Sequence, residues 1–395
     1  MFSMLGRAII AILFWLGQLK LCIAVINRFI VFMKDKTVKH VLTIVFVLFM
    51  FLWPPLLFFF YSNTRLIRDV LSLHPADFSS WLFLIYLFYG VFLIVRANVR
   101  ALLKHFRRPF PEGIRLVTRR HIQLRQSSQW LPPRFPLIFG KLVNPLNDYY
   151  SIEVNIFEVF FERLPSAFDG LRLAHISDLH FDGSLDQRFY ESCIFETNNL
   201  KPDLICVTGD NISDRDFTRQ AVETLSWLRA PDGVFFLRGN HDFWIDGAGV
   251  MKEFMRQNCR ILDNRAVILE RGNEKIRLIG VEHPWKRRRD WDDSLFEEDN
   301  LFTLCLTHTP DNFRRAANAG AALTLCGHTH GGQIRLPLFG PVICPSRSSR
   351  MYDQGFFKRG KNILYINRGL GSTFPFRFRC PSEITLFVIR RKSCE

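Results

Sequence analysis

The sequence predicts an α/β domain over residues 151–395, preceded by an N-terminal membrane helical hairpin. Three observations carry this expectation. Past residue 150, short apolar runs alternate with amphipathic stretches, the pattern of strands joined by helices. Before residue 100 stand two uncharged apolar runs, each about as long as a bilayer-crossing helix. The chain has 395 residues, 48% hydrophobic and 23% charged, which leaves room for a globular domain and an apolar segment together.

The elements follow in order. Residues 1–40 are basic and apolar, and 8–33 are interrupted by Lys20 and Arg28. That stretch reads as an interfacial helix, a third span or a signal peptide, although no small-residue cleavage site follows it. Residues 41–95 form the hairpin. Its first run, 41–61, has no charge across 21 positions, and Pro54-Pro55 would kink it. The second run is 78–95, and the link between carries only Arg65 and Arg68 as cations. Lys and Arg crowd both outer flanks, so both flanks, and all that follows residue 96, are expected on the cytoplasmic side of a bacterial inner membrane.

Residues 96–150 read as a basic juxtamembrane linker. The net charge is +15, and much of the excess lies here, beside the bilayer. Such clusters attract anionic headgroups at about 1 kcal/mol per residue near the surface. The expected partner is therefore an anionic membrane surface, or the flank is simply a topology signal; its place beside the bilayer argues against nucleic acid. Nine Cys with no CxxC pair suggest reduced thiols, with Cys206, Cys305 and Cys326 inside apolar strands.

Within 151–395 the expected strands are 171–176, 204–209, 234–239, 276–281, 303–308, 323–327, 363–367 and 384–389. Helices are expected near 186–200, 216–229, 246–257 and 310–319. Five polar clusters follow strands directly: Asp178-Leu179-His180, Asp210-Asn211, Asn240-His241-Asp242, His308-Thr309-Pro310 and His328-Thr329-His330. Ligands bind beyond the carboxyl ends of strands in open α/β sheets, so the five can meet at one edge.

Carboxylate, imidazole and Asn oxygen without thiolate suit Mn²⁺ first, with Fe, Zn²⁺ and Mg²⁺ as alternatives. Asp178, His180, Asp210, Asn240, His308, His328 and His330 are too many ligands for one ion but fit two ions sharing a carboxylate, an arrangement that clamps a phosphate. The spacing of Asp178 and His180 is expected to place both side chains on one face of an extended segment. His241 is the candidate general acid, with Asp214 or Asp242 to orient it. Taken singly, a His after a strand is more often a hydrogen-bonded structural residue; five clusters in a row are not explained that way. His105, His121, His175 and His283 lack this setting and are read as structural or surface residues, and the Arg287–Arg289 and Arg347–Arg350 runs as solvated loops.

The residues Asp178-Leu179-His180, Gly209-Asp210, Gly239-Asn240-His241-Asp242, His308 and Gly327-His328-Thr329-His330 resemble the calcineurin-like metallophosphoesterase family, over roughly 150–395. The resemblance implies a four-layer α/β/β/α metallophosphoesterase sandwich with a di-metal centre on one rim. It implies that Asp178, His180, Asp210 and His330 hold one ion, that Asp210, Asn240, His308 and His328 hold the other, and that His241 is the acid. Many members place an Asp three residues after the bridging Asp; here that position is Ser213.

The extended ending GHTHGGQ (327–333), a Pro-rich loop and NRGLG (367–371) resemble a membrane-anchored subgroup that includes phosphodiesterases. That subgroup is similar to the pyrophosphatases that act on UDP-2,3-diacylglucosamine in lipid A synthesis. The implied substrate is a lipid-linked diphosphate, with a nucleotide or other phosphodiester as the alternative. A scaffold that has lost activity is disfavoured, because every ligand position is filled.

Overall fold

Along each central strand, alternate residues feed two different apolar layers, as the two-residue period of a strand requires. Leu171 and Leu173 face one cluster while Ala174 and Ile176 face the other; Leu204 and Cys206 divide from Ile205 and Val207 in the same way. Strands buried on both faces read as unbroken apolar runs, which is why they stood out in the sequence.

The structure, a computed structural model, describes residues 110–124 and 147–392 apart from 257–258, 283, 286–291, 297–299, 338–339, 373 and 375, together with residues 23, 25, 27, 88, 92 and 95. In chain order the elements are β1 (Ile114–Gln123), β2 (Ser151–Phe161), β3 (Leu171–Ile176), α1 (Gln187–Asn199), β4 (Leu204–Thr208), α2 (Thr218–Leu225), β5 (Gly233–Leu237), α3 (Asn240–Arg256), β6 (Arg260–Ile261), β7 (Arg265–Arg271) and β8 (Glu274–Val281). There follow β9 (Phe302–Thr307), α4 (Phe313–Asn318), β10 (Leu323–Cys326), β11 (Arg335–Leu336), β12 (Gly340–Pro341), β13 (Gly355–Arg359), β14 (Asn362–Ile366) and β15 (Ser382–Arg391).

Two mixed sheets result. One has the order β1-β2-β15-β3-β4-β5-β6, the other β13-β14-β10-β9-β8-β7. Leu173 and Cys206 of the first meet Leu278, Leu304 and Leu325 of the second in one core between the sheets. The outer face of the first sheet packs on Phe189 and Tyr190 of α1 and Val222 and Leu225 of α2. The outer face of the second packs on Phe313, Ala316 and Ala317 of α4. Strands β3, β4 and β5 run parallel, as do β9, β10 and β14, so their carboxyl ends supply the loops of each sheet.

The chain divides into two units, residues 1–109 with 337–347, and 110–336 with 348–395. In the first, Asn27 donates from Nδ2 to Val342 O (2.6 Å) and accepts from Cys344 N (2.6 Å). The expected spans fall almost wholly outside the described residues, and among the described residues no helix is long and apolar enough to cross a membrane.

The structure also differs from the expectation for 96–150. Residues 114–123 are not linker but β1, an edge strand paired antiparallel with β2. Three cations of the basic segment are engaged there: Arg115 binds Glu158, Arg119 donates to Asn155 Oδ1 (2.9 Å) and Arg120 pairs with Glu196 (3.0 Å). The residues of β1 mix Ile, Leu and Val irregularly with Arg, Thr and His, a pattern that fits a surface segment as readily as an edge strand; only the partner β2 decides.

Phe157, 2% exposed, stands between the sheets with its ring 4.9 Å from Phe356 and 5.9 Å from Tyr365. Phe157→Ala is expected to lower stability by about 3–5 kcal/mol, measured as a shifted midpoint in a denaturant titration.

Candidate metal centre

Five loops deliver the polar clusters to one place. The β3 loop is tied to the β4 loop by Asp178 N donating to Gly209 O (2.9 Å) and His180 N to Asp210 O (2.9 Å). The β9 and β10 loops are joined by Gly327 N to His308 O (3.2 Å). The two sheets are linked where His308 Nδ1 donates to Thr208 O (2.7 Å).

These bonds leave the other atoms of each residue turned toward one another. His180 Nε2 lies 3.8 Å from Asp178 Oδ1, 3.6 Å from Asp210 Oδ2 and 3.1 Å from His330 Nε2. His308 Nε2 lies 3.2 Å from Asp210 Oδ2 and 3.1 Å from His328 Nδ1. Asp178-His180-His330 and Asp210-His308-His328 are therefore each compact enough to hold a cation. Asn240 is the first residue of α3; its Oδ1 is buried with no hydrogen-bond partner. Its neighbour His241 donates its backbone N–H to Asp210 Oδ1 (2.8 Å). An orphan amide oxygen, buried carboxylates and imidazole nitrogens facing one another fit divalent cations, since a cation satisfies all of them at once.

The backbone conformation corrects one expectation. Asp178 and His180 do not lie on an extended segment: both have φ of 50°. Asp210 (52°), His328 (71°) and His330 (51°) are left-handed too. Each such residue costs about 1–2 kcal/mol of steric strain, and strain of this kind gathers at functional sites. Glycines give the room. A Cβ on Gly239 would overlap Asp210 Oδ1, and one on Gly327 would overlap Asp178 Oδ2.

Beneath Asp178 lies a support that the sequence showed only as NRGLG. Leu370 N donates to Ser177 O (3.0 Å) and Gly371 N to Asp178 O (2.7 Å). Arg368 in this loop is buried and paired with Glu153 (2.6 Å) and Glu383 (3.1 Å). Burial opposes the Glu383 charge, but Arg368 together with hydrogen bonds from Tyr365 and Asn155 holds the carboxyl below its usual range.

The expected orienting carboxylates do something else. Asp242 accepts from the backbone N–H groups of Gly239 (2.8 Å), Asn211 (3.0 Å) and Ile212 (3.0 Å), tying the β4 and β5 loops together. Asp214 caps the turn at 215–217 through Asp216 N. The group at His241 Nδ1 is the Ser213 hydroxyl, 3.0 Å away. Two aromatics also escaped the sequence reading. Trp244, 55% exposed, lies one turn beyond His241 with its ring 4.8 Å away, and Trp285 lies 5.2 Å from His328. Helical spacing could have flagged Trp244; nothing local flags Trp285. His175 holds a core position, its Nε2 2.8 Å from Thr208 Oγ1, where burial pushes it down to about 3.

The site's groups shift one another strongly. Burial pushes Asp178 up to about 6 against the pull of His308. Burial also opposes the Asp210 charge, but His308 and His241 hold it well below the usual range. His308, in turn, overcomes burial because Asp210 is beside it, and is carried up to about 9.

Buried carboxylates and imidazoles gathered at the carboxyl ends of two packed sheets make this a metal-dependent hydrolase site of the kind that acts on phosphate esters. Comparison with known proteins gives the class its family. The family model for calcineurin-like phosphoesterase matches residues 171–332. The chain is 32% identical over 248 residues to the metallophosphoesterase YkuE of Bacillus subtilis, covering 61% of this chain and 86% of that one. It is 29% identical to the phosphodiesterase YaeI of Escherichia coli, over 55% of this chain and 82% of that one. It is 26% identical to the UDP-2,3-diacylglucosamine pyrophosphatase LpxG of Chlamydia muridarum, over 57% of this chain and 86% of that one. The chain belongs to the calcineurin-like metallophosphoesterase family, hydrolases of phosphodiester or pyrophosphate bonds.

Two expectations follow. Gly239→Ala should weaken Mn²⁺ uptake and hydrolysis by more than the roughly 10–100-fold that loss of an outer-sphere partner costs, as read by calorimetry and phosphodiester turnover. Cation binding must also displace the His308 proton below about pH 9 and the Asp178 proton below about pH 6. Affinity should therefore fall as pH falls, about tenfold per pH unit for each proton displaced, which metal titrations at stepped pH would read.

Proposed function

We propose that the protein hydrolyses the pyrophosphate bond of UDP-2,3-diacylglucosamine at the membrane surface, releasing UMP and 2,3-diacylglucosamine 1-phosphate. The observation that carries the substrate is the likeness to LpxG across most of that protein's length. The apolar runs at 41–61 and 78–95 support it, since an acylated nucleotide keeps its diphosphate at headgroup depth.

In this reading Asp178, His180, Asp210 and His330 hold one divalent ion, and Asp210, Asn240, His308 and His328 hold the second. Mn²⁺ is the first choice, with Fe, Zn²⁺ and Mg²⁺ as alternatives. The bound pair would offset phosphate charge and activate water for in-line attack. His241 gives a proton to the departing phosphate oxygen as the bridging P–O bond breaks. The exposed Trp244 ring beside it offers a flat surface on which a base can stack. The catalytic unit faces the cytoplasm of a bacterial inner membrane, because Lys and Arg crowd both flanks of the hairpin. The basic flank, apart from the cations engaged on β1, attracts the anionic surface and the diphosphate.

A second reading is a membrane-anchored phosphodiesterase acting on a nucleotide or another phospholipid-type substrate, favoured by the likeness to the phosphodiesterase YaeI. Detergent-purified protein with Mn²⁺ would be given UDP-2,3-diacylglucosamine, its unacylated counterpart and bis-p-nitrophenyl phosphate, with Asp210→Ala as control. Acylated substrate should be cleaved about tenfold faster or more, and only by the wild type. Cleavage of the generic diester without that preference would favour the second reading.

A further inference from the structure

Ser213 stands between two histidines with different duties. Its Oγ lies 2.6 Å from His180 Nδ1 and 3.0 Å from His241 Nδ1. The two rings are perpendicular, with centroids 4.7 Å apart. Ser213 follows Ile212, whose backbone N–H is fixed by Asp242, and its own N–H donates to Phe181 O (3.0 Å). The hydroxyl is therefore anchored from both sides of the site.

We infer that Ser213 is a positioning residue that joins the metal-facing His180 to His241 through one hydroxyl and fixes the orientation of both rings. The inference rests on the metal reading above. His180 Nε2 faces Asp178, Asp210 and His330, so as a ligand it is bare and the proton sits on Nδ1. That N–H donates to Ser213 Oγ. A hydroxyl oxygen has two lone pairs, so Oγ can also accept from Nδ1–H of the doubly protonated His241 that an acid must be. The Nε2 proton is then the one His241 gives up, which returns the ring to its neutral form. A carboxylate at position 213 would hold the same two N–H groups with a full charge; the hydroxyl holds them without one. The serine thereby ties the ring that would face the cation to the ring that gives the proton.

The test uses the full-length protein in detergent, with Ser213→Ala and the hydroxyl-keeping Ser213→Thr. Mn²⁺ affinity is measured by calorimetry, and turnover is compared on aryl phosphodiesters with p-nitrophenol and phenol leaving groups. Ser213→Ala should bind Mn²⁺ about 10–100-fold more weakly. At saturating Mn²⁺, its kcat should fall further for the phenol ester, which needs a proton, than for the p-nitrophenol ester. Ser213→Thr should restore both. If wild type and Ser213→Ala bind Mn²⁺ equally, or if both esters slow equally in Ser213→Ala, the inference is overturned. Absence of Mn²⁺ uptake by the wild type itself would overturn the metal reading and take the inference with it.

Discussion

Two buried carboxylates sharing one small space set the terms for the rest of the structure. Asp178 and Asp210 are removed from water, and each works against the other's charge, so neither can stay ionised without compensation. The fold supplies part of it. His328 N–H donates to Asp178 and His241 N–H donates to Asp210, and imidazoles stand around both. What these partners leave unsatisfied, above all the orphan oxygen of Asn240, is what bound divalent cations would complete.

The site draws its residues from both sheets. β3, β4 and β5 bring Asp178, Asp210 and Asn240 from one, while β9 and β10 bring His308 and His328 from the other. The inter-sheet core of Leu, Phe and Tyr side chains fixes the distance between them. A repacking of that core would move a ligand on one sheet against its partner on the other, so packing and chemistry are not separable here.

Strain and support are local counterparts. Five of the candidate ligands sit at left-handed φ, a conformation that Asp and His adopt reluctantly. The surrounding hydrogen bonds hold them there: loop amides to Gly209, Asp210 and Asp178 carbonyls, Asp242 across three amides, and the Arg368 ion pairs under the NRGLG turn. Asp242, one residue past His241, is thus a structural tie rather than a partner of that imidazole. The Ser213 hydroxyl stands beside it instead.

The sequence by itself determined the eight central strands to within a residue or two, because strands buried on both faces are written as largely apolar runs. It also determined the candidate ligands, because each follows such a run directly. It did not determine β1, whose irregular mixture of apolar and basic residues suits any surface segment until β2 lies beside it, nor the conformation of Asp178-Leu179-His180, which depends on the hydrogen bonds of the neighbouring loops. Which group meets His241 was likewise beyond it. Asp214, Asp242 and Ser213 are all close in the chain or in the motif, and only the tertiary fold turns Asp242 toward the backbone amides and Ser213 toward the two imidazoles. Spacing along the chain tells which residues can share a site; the direction in which each side chain leaves the backbone is decided by contacts with loops that the fold brings alongside.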